Sequence, residues 1–217
     1  MRQLQTTAFA ILLAGTSLLT SCGSTGSKPT SGELAGPAAP TAQKKEPALY
    51  TGQRALSCMS SLTAKWAPDA APVRLESVVN SEASGQDGKA TVWKAGFISP
   101  SRGKIRFFTC SGSRLPDASP SGASADIEQG YGADVAALAF HTFLLKTDSD
   151  KAFEIAQAHG GADLLKKDPN QAVSYVLLWN PKQRALFWYV AYGKDKASTV
   201  GTGIVNAMTG AYVGASK

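Results

Sequence analysis

The sequence predicts an α+β fold of two similar units, each a helix packed on an antiparallel β-sheet. Three observations carry that expectation. An apolar stripe with helical period opens residues 48–132 and is followed by strand-like runs. The same order of helix and strands returns in residues 133–217. Sliding one half on the other by 95 residues brings Gln53 onto Asp148 near a helix start and Trp93 close to Trp188. Hydrophobic residues make up 43% of the 217-residue chain, enough for a packed core. Charged residues are only 18%, too few for a coiled coil or a long solvated helix.

The chain opens with an address. Met1-Arg2 is a small positive region, and residues 8–19 are an apolar run. Such a run covers about 18 Å as a helix, short of the ~30 Å hydrocarbon core, so a secretory leader is expected rather than a membrane span. It ends in Leu19-Thr20-Ser21-Cys22, which resembles a bacterial lipobox. Residues 1–21 are therefore expected to be a lipoprotein signal peptide, with Cys22 as the lipid attachment site. Acyl chains such as palmitate add roughly 0.8 kcal/mol per buried methylene, so two or three anchor stably. Gly23 is not the Asp that usually retains such proteins at the inner membrane, which implies the outer membrane, facing the periplasm. Residues 22–47 are rich in Gly, Ser, Thr, Pro and Ala and read as a flexible tether reaching about 25–30 Å.

Each later element has its own signal. Ala55, Leu56, Met59, Leu62 and Trp66 recur at helical steps, predicting a helix over 51–65 that Pro68 ends. Strands are expected over 73–79, 91–99 and 104–110, the last two joined by a Pro100-to-Gly103 turn. Residues 115–132, with Pro116, Pro120 and three Gly, read as a loop. The apolar run 135–145 is compatible with a buried strand or a short helix. Asp148 or Ser149 offers an N-cap, Asp150 places negative charge in the first turn, and Gly160-Gly161 closes that helix. Further strands are expected over 173–179, 186–192 and 199–207.

If Cys22 is lipidated, Cys58 and Cys110 remain, and export to an oxidising compartment makes a disulfide between them the expectation. Cys58 lies beside the buried stripe of the first helix, and Cys110 ends the strand expected beneath it. Against this, Cys110 shares strand parity with Lys104 and Arg106, a mixed face.

Chemistry finds little material. His141 and His159 are the only histidines, and no Gly-x-Ser-x-Gly, His-Glu-x-x-His, EF-hand or phosphate-loop pattern occurs. His141, inside an apolar run, reads as a core histidine; His159 suits a helix C-terminus. Asp148 and Asp150 are explained by capping, and Asp126 and Glu128 sit in the expected loop. No enzymatic activity, metal or cofactor is expected. The formal charge of +6 falls to +5 without Arg2, and the basic residues are scattered, the densest groups being Lys44-Lys45 and Lys166-Lys167. That balance could attract lipopolysaccharide, peptidoglycan carboxylates or an acidic protein, but scattered basic residues read better as a solvated surface, and a nucleic-acid site would need interleaved exposed aromatics. Aromatics concentrate in the second half. Alternation places Tyr175 with Trp179 and Trp188 with Tyr192, leaving Phe187 and Tyr189 opposite. Tyr175, Trp179, Trp188 and Tyr192 form either a candidate interaction face or packing between the halves.

The helix Asp148-Ser149-Asp150-Lys151-Ala152-Phe153-Glu154-Ile155-Ala156, the run Phe187-Trp188-Tyr189-Val190-Ala191-Tyr192 and the ending from Val205 to Val213 together resemble the PepSY domain family. Asn206 stands where that family usually has Asp, keeping the turn-forming side chain without its charge. The first half, with Trp66-Ala67-Pro68-Asp69-Ala70 and the stretch from Trp93 to Lys104, looks like a more divergent copy. The resemblance implies an exported tandem of helix-on-sheet units that acts by binding another envelope protein; some PepSY segments inhibit peptidases. A lipopolysaccharide- or glycan-binding protein is the alternative.

Overall fold

The computed structural model describes residues 46–216; the expected signal peptide, Cys22 and nearly all of the expected tether lie outside them. Helix α1 (Gly52–Trp66) starts after Thr51, whose hydroxyl accepts the Arg54 N–H. Ala55, Leu56 and Met59 are buried on one stripe, and Leu62 and Trp66 continue it half-buried, as the helical period requires. Strands β1 (Ala71–Val78), β2 (Val92–Ser99) and β3 (Lys104–Ser111) follow as an antiparallel meander. The expected loop 115–132 also holds two short strands, β4 (Gly122–Ala125) and β5 (Gln129–Gly130), both paired with β3.

The run 135–145 is neither a strand nor one helix. It contributes the end of a single turn, α2 (Ala133–Ala136), and a 3-10 turn at Thr142–Leu144. The second long helix is also broken. Helix α3 (Ser149–Ala156) passes into a wide turn, Gln157–Gly161, and a short helix α4 (Ala162–Lys167). Gly160 there takes φ +102°, which glycine adopts without a Cβ penalty. A Cβ on Gly161 would lie 1.8 Å from the Tyr192 hydroxyl, so the helix changes direction where tyrosine presses on it. Strands β6 (Val173–Asn180), β7 (Ala185–Tyr192) and β8 (Gly201–Asn206) follow the expected pattern, and β9 (Tyr212–Ser216) extends it.

The strands form one sheet rather than two separate ones, in the order β4-β3-β2-β1-β6-β7-β8-β9, with β5 also on β3. Every pairing is antiparallel. The join is β1 against β6, with Leu75 opposite Leu177 and Glu76 opposite Val176. One apolar core therefore runs under both long helices, centred on Trp93, Trp188 and Tyr175, each with no measurable exposure. The two indoles meet edge to face at 6.1 Å. Each donates its N–H at 2.8 Å to the carbonyl just before a helix N-cap, Trp93 to Tyr50 and Trp188 to Thr147.

The N-termini of α1 and α3 also share donors and acceptors. The Asp148 carboxylate accepts from Ser149 N–H at 2.7 Å and from Gln53 N–H at 2.9 Å, so one N-cap serves two helices. The buried Ser149 hydroxyl accepts from Gly52 N–H at 2.9 Å and donates to the Gly88 carbonyl at 2.6 Å. Gly52 must be glycine, because a Cβ would lie 2.4 Å from the Trp188 ring. No helix among the described residues is long and apolar enough to cross a membrane.

Candidate binding face

Side chains alternate across a sheet, so the residues of β6 and β7 sort cleanly by face. Val173, Tyr175 and Leu177 on β6, and Leu186, Trp188, Val190 and Tyr192 on β7, point under the helices and are buried. Tyr175, Trp188 and Tyr192 therefore present no surface to a partner, and Trp179 is half-buried against the same core. The aromatic interaction face is corrected accordingly: the halves share one helix-covered face, which these rings fill. Burial pushes the Tyr175 hydroxyl well above the usual phenol range, and its O–H donates to the Gly85 carbonyl. Burial likewise pushes Tyr192 up to about 12, opposed by Gln157, whose side-chain N–H donates to the phenol oxygen at 2.8 Å.

The opposite face behaves differently in the two halves. Over β1 to β3, the chain covers it itself: Tyr131, Val135, Leu138 and Ala139 pack on Val73, Ile98, Ile105 and Phe107. Over β6 to β8 the cover is partial, and Phe187 on that face is buried. Val176, Leu178, Tyr189 and Thr202 are only half-buried there and line a groove of ≈ 820 Å³ with Arg74 and Glu76. The register supports that shared face, since Val176 pairs with both Glu76 and Tyr189, and Leu178 with Arg74. Arg74 and Glu76, two apart on β1, form an ion pair at 2.6 Å.

A loop after β7 rims the groove. Asp195 organises it, accepting from Ser198 N–H at 2.8 Å and from the Ser198 hydroxyl at 2.9 Å. The Ser198 backbone and hydroxyl hydrogen bonds hold the Asp195 carboxyl below the usual carboxylate range. Lys194 and Lys196 flank it on the groove and make no ion pair among the described residues. The legible signals for this face were the Arg74-x-Glu76 spacing and the Phe187/Tyr189 parity; the partial cover over Val176 and Leu178 has no sequence signal.

The remaining expected residues fall as follows. Cys22 lies outside the described residues. Cys58 and Cys110 are joined by a disulfide with Cα atoms 6.0 Å apart. The mixed face of β3 resolves along its length. Phe108 and Cys110 are buried, whereas Arg106 reaches out to the Asp126 carbonyl at 2.7 Å. His141 is not a core histidine: it is exposed and stacks on the exposed Phe143 ring at 5.3 Å. His159 donates from Nδ1 to the Ile155 carbonyl at 2.8 Å at the end of α3 and stacks on Tyr212 at 4.1 Å. Glu128 accepts the Trp66 indole N–H at 2.8 Å and pairs with Arg102 at 3.1 Å. The Trp66 bond is the main cause holding its carboxyl below the usual range. Among the described residues, no three His, Cys, Asp or Glu side chains gather as a metal site would require.

No protein-family model matches the chain, and no curated protein matches it. Among solved structures, it is similar to the crystal structure of a protein from Clostridium difficile 630 named as a candidate lipoprotein. The two share 13% sequence identity over 75% of this chain and 91% of that one, with a TM-score of 0.49. At that distance the likeness assigns neither family nor function.

Proposed function

We propose that this chain is a lipid-anchored protein of the cell envelope that binds another protein, without catalysis, on the helix-free face of β6 to β8. The observation that carries this reading is the asymmetry of one sheet. The chain covers the outer face of β1 to β3 with its own apolar residues, yet leaves Val176, Leu178 and Tyr189 only half-buried along a groove beside it. An apolar strip rimmed by charge is the usual anatomy of a recognition surface. Tyr189 supplies a rigid amphipathic ring at its centre.

The finer reading is a tandem of PepSY-like units anchored through Cys22 at the outer membrane, facing the periplasm. The repeated capping of Trp93 and Trp188 on the residue before each helix supports descent from one duplicated unit. The same resemblance suggests a peptidase restrained in trans as the class of partner.

A photo-crosslinking residue at Tyr189 tests this in cells, with the same probe at Tyr131 on the self-covered half as control. One abundant protein captured from position 189 and not from 131 is the expected result. Capture of envelope polymer alone, with sharply salt-dependent binding to purified lipopolysaccharide or peptidoglycan, would overturn it in favour of glycan or lipid binding through Lys194 and Lys196.

A further inference from the structure

A hollow of ≈ 510 Å³ opens between α1 and residues 140–145, away from the face just described. Its floor is apolar, made by the buried Leu56, Phe97, Phe140 and Leu145. One wall is a stripe of α1. Gln53, Ser57, Ser60 and Thr63 follow one another at three- and four-residue steps, so an amide and three hydroxyls share one side of the helix. The other wall is His141, Thr142 and Phe143. Phe143 is 65% exposed, and the His141 ring lies against it at 5.3 Å, within 18° of parallel. The chain thus holds a large apolar ring in water at the mouth of the hollow. No Asp, Glu, Lys or Arg is among the lining residues.

That lining selects its occupant. A charged ligand would leave water with no opposite charge to receive it. An apolar ligand, or an apolar segment of another chain, would strip water from the α1 stripe without replacing its hydrogen bonds. The stripe is also set for a partner that donates. The Ser57 hydroxyl donates to the Gln53 carbonyl at 3.0 Å and the Ser60 hydroxyl to the Ser57 carbonyl at 2.8 Å. Their protons are spent within the helix, which leaves both oxygens as acceptors. The Gln53 amide adds donors and a further acceptor. A pyranose ring matches both walls, because its C–H face packs on an aromatic ring while its edge hydroxyls donate and accept. A hollow of ≈ 510 Å³ is in the range of small-ligand sites and takes one or two such rings.

We propose that this hollow binds an uncharged saccharide of one or two rings, stacked on Phe143 and hydrogen-bonded along Gln53, Ser57 and Ser60. The site is separate from the face of β6 to β8, and neither reading depends on the other. The probe is N,N′-diacetylchitobiose, a neutral disaccharide, titrated against the full chain and followed by saturation-transfer NMR. Saturable millimolar binding is expected, with transfer to the ring C–H protons and no change between low and high salt, because no charges pair. Phe143→Ala should weaken it at least tenfold, and Phe143→Trp should keep the affinity of the parent. Both changes lie at an exposed position and should leave the urea midpoint in place.

Absence of binding, or binding that Phe143→Ala leaves unchanged, would overturn the proposal. So would tighter, salt-sensitive binding of the same disaccharide carrying a carboxylate, which would move the sugar to the lysines of the other groove. Protein capture at position 189 should be undiminished by Phe143→Ala, whatever the sugar does. Loss of that capture in Phe143→Ala would show a protein seated in this hollow and would sink the saccharide.

Discussion

Replacing Ser149 with alanine removes a hydroxyl that serves two elements at once. Its oxygen accepts from Gly52 N–H at 2.9 Å and its proton goes to the Gly88 carbonyl at 2.6 Å, with Ser149 itself fully buried. Gly52 is buried as well, under the Trp188 ring, so water does not readily replace the lost acceptor. A buried group left without its partner costs about 1–3 kcal/mol, and two are orphaned here. Gly88 is buried like Gly52, so with partial relaxation Ser149→Ala should lose about 2–4 kcal/mol. Asp148→Ala removes an acceptor from two helix starts at a half-exposed position and should lose about 1–2 kcal/mol. Urea unfolding followed by tryptophan fluorescence, without reductant, measures both, and an unchanged m-value would show that the midpoint shift reports stability. The exposed Ser60→Ala serves as reference and should change stability by less than about 0.5 kcal/mol. A loss at Ser149 no larger than at Ser60 would refute the claim that this hydroxyl ties the helix starts together.

Cys58→Ala with Cys110→Ala opens a loop with a sequence separation of 52 and should cost about 4 kcal/mol by loop entropy; urea midpoints against the parent decide it. Gly52→Ala forces a methyl against Trp188 and should cost about 1–3 kcal/mol with a shift in tryptophan emission; calorimetry showing no loss would mean the helix start can move. Tyrosine ionisation supplies a fourth test. Burial holds Tyr192 neutral up to about 12 and raises Tyr175 well above the usual phenol range, whereas in the unfolded chain both ionise near 10. A raised folded pKa contributes stability that is complete below pH ~10 and is lost as pH rises through ~12. Absorbance at 295 nm should therefore show Tyr175 and Tyr192 still un-ionised at pH ~11 while the fold persists; ionisation of both without unfolding would contradict their burial.

Much of the fold was legible because local chemistry dictates it. The α1 stripe, the Thr51 and Asp148 neighbourhoods and the turns between strands are each set by residues within a few positions. The failures have a common physical origin. Residues 135–145 look uniformly apolar, yet they split between covering the outer face of the sheet and, at Phe140 and Leu145, the main core. Alternation correctly separated Trp188 and Tyr192 from Phe187 and Tyr189, but it carries no label for which side a helix will cover. The aromatic interaction face failed on that missing label.

The sequence by itself determined the α+β class and the order of the principal helices and strands, since these depend on period and turn residues. Only the tertiary structure decided that β1 pairs with β6 to make one sheet, that Asp148 and Ser149 join two helix starts, and that Val176, Leu178 and Tyr189 line a groove half-buried. Pairing between strands some hundred residues apart and the covering of a face depend on which surfaces meet after collapse. That information lies in the summed packing of the whole chain and in no local window of it.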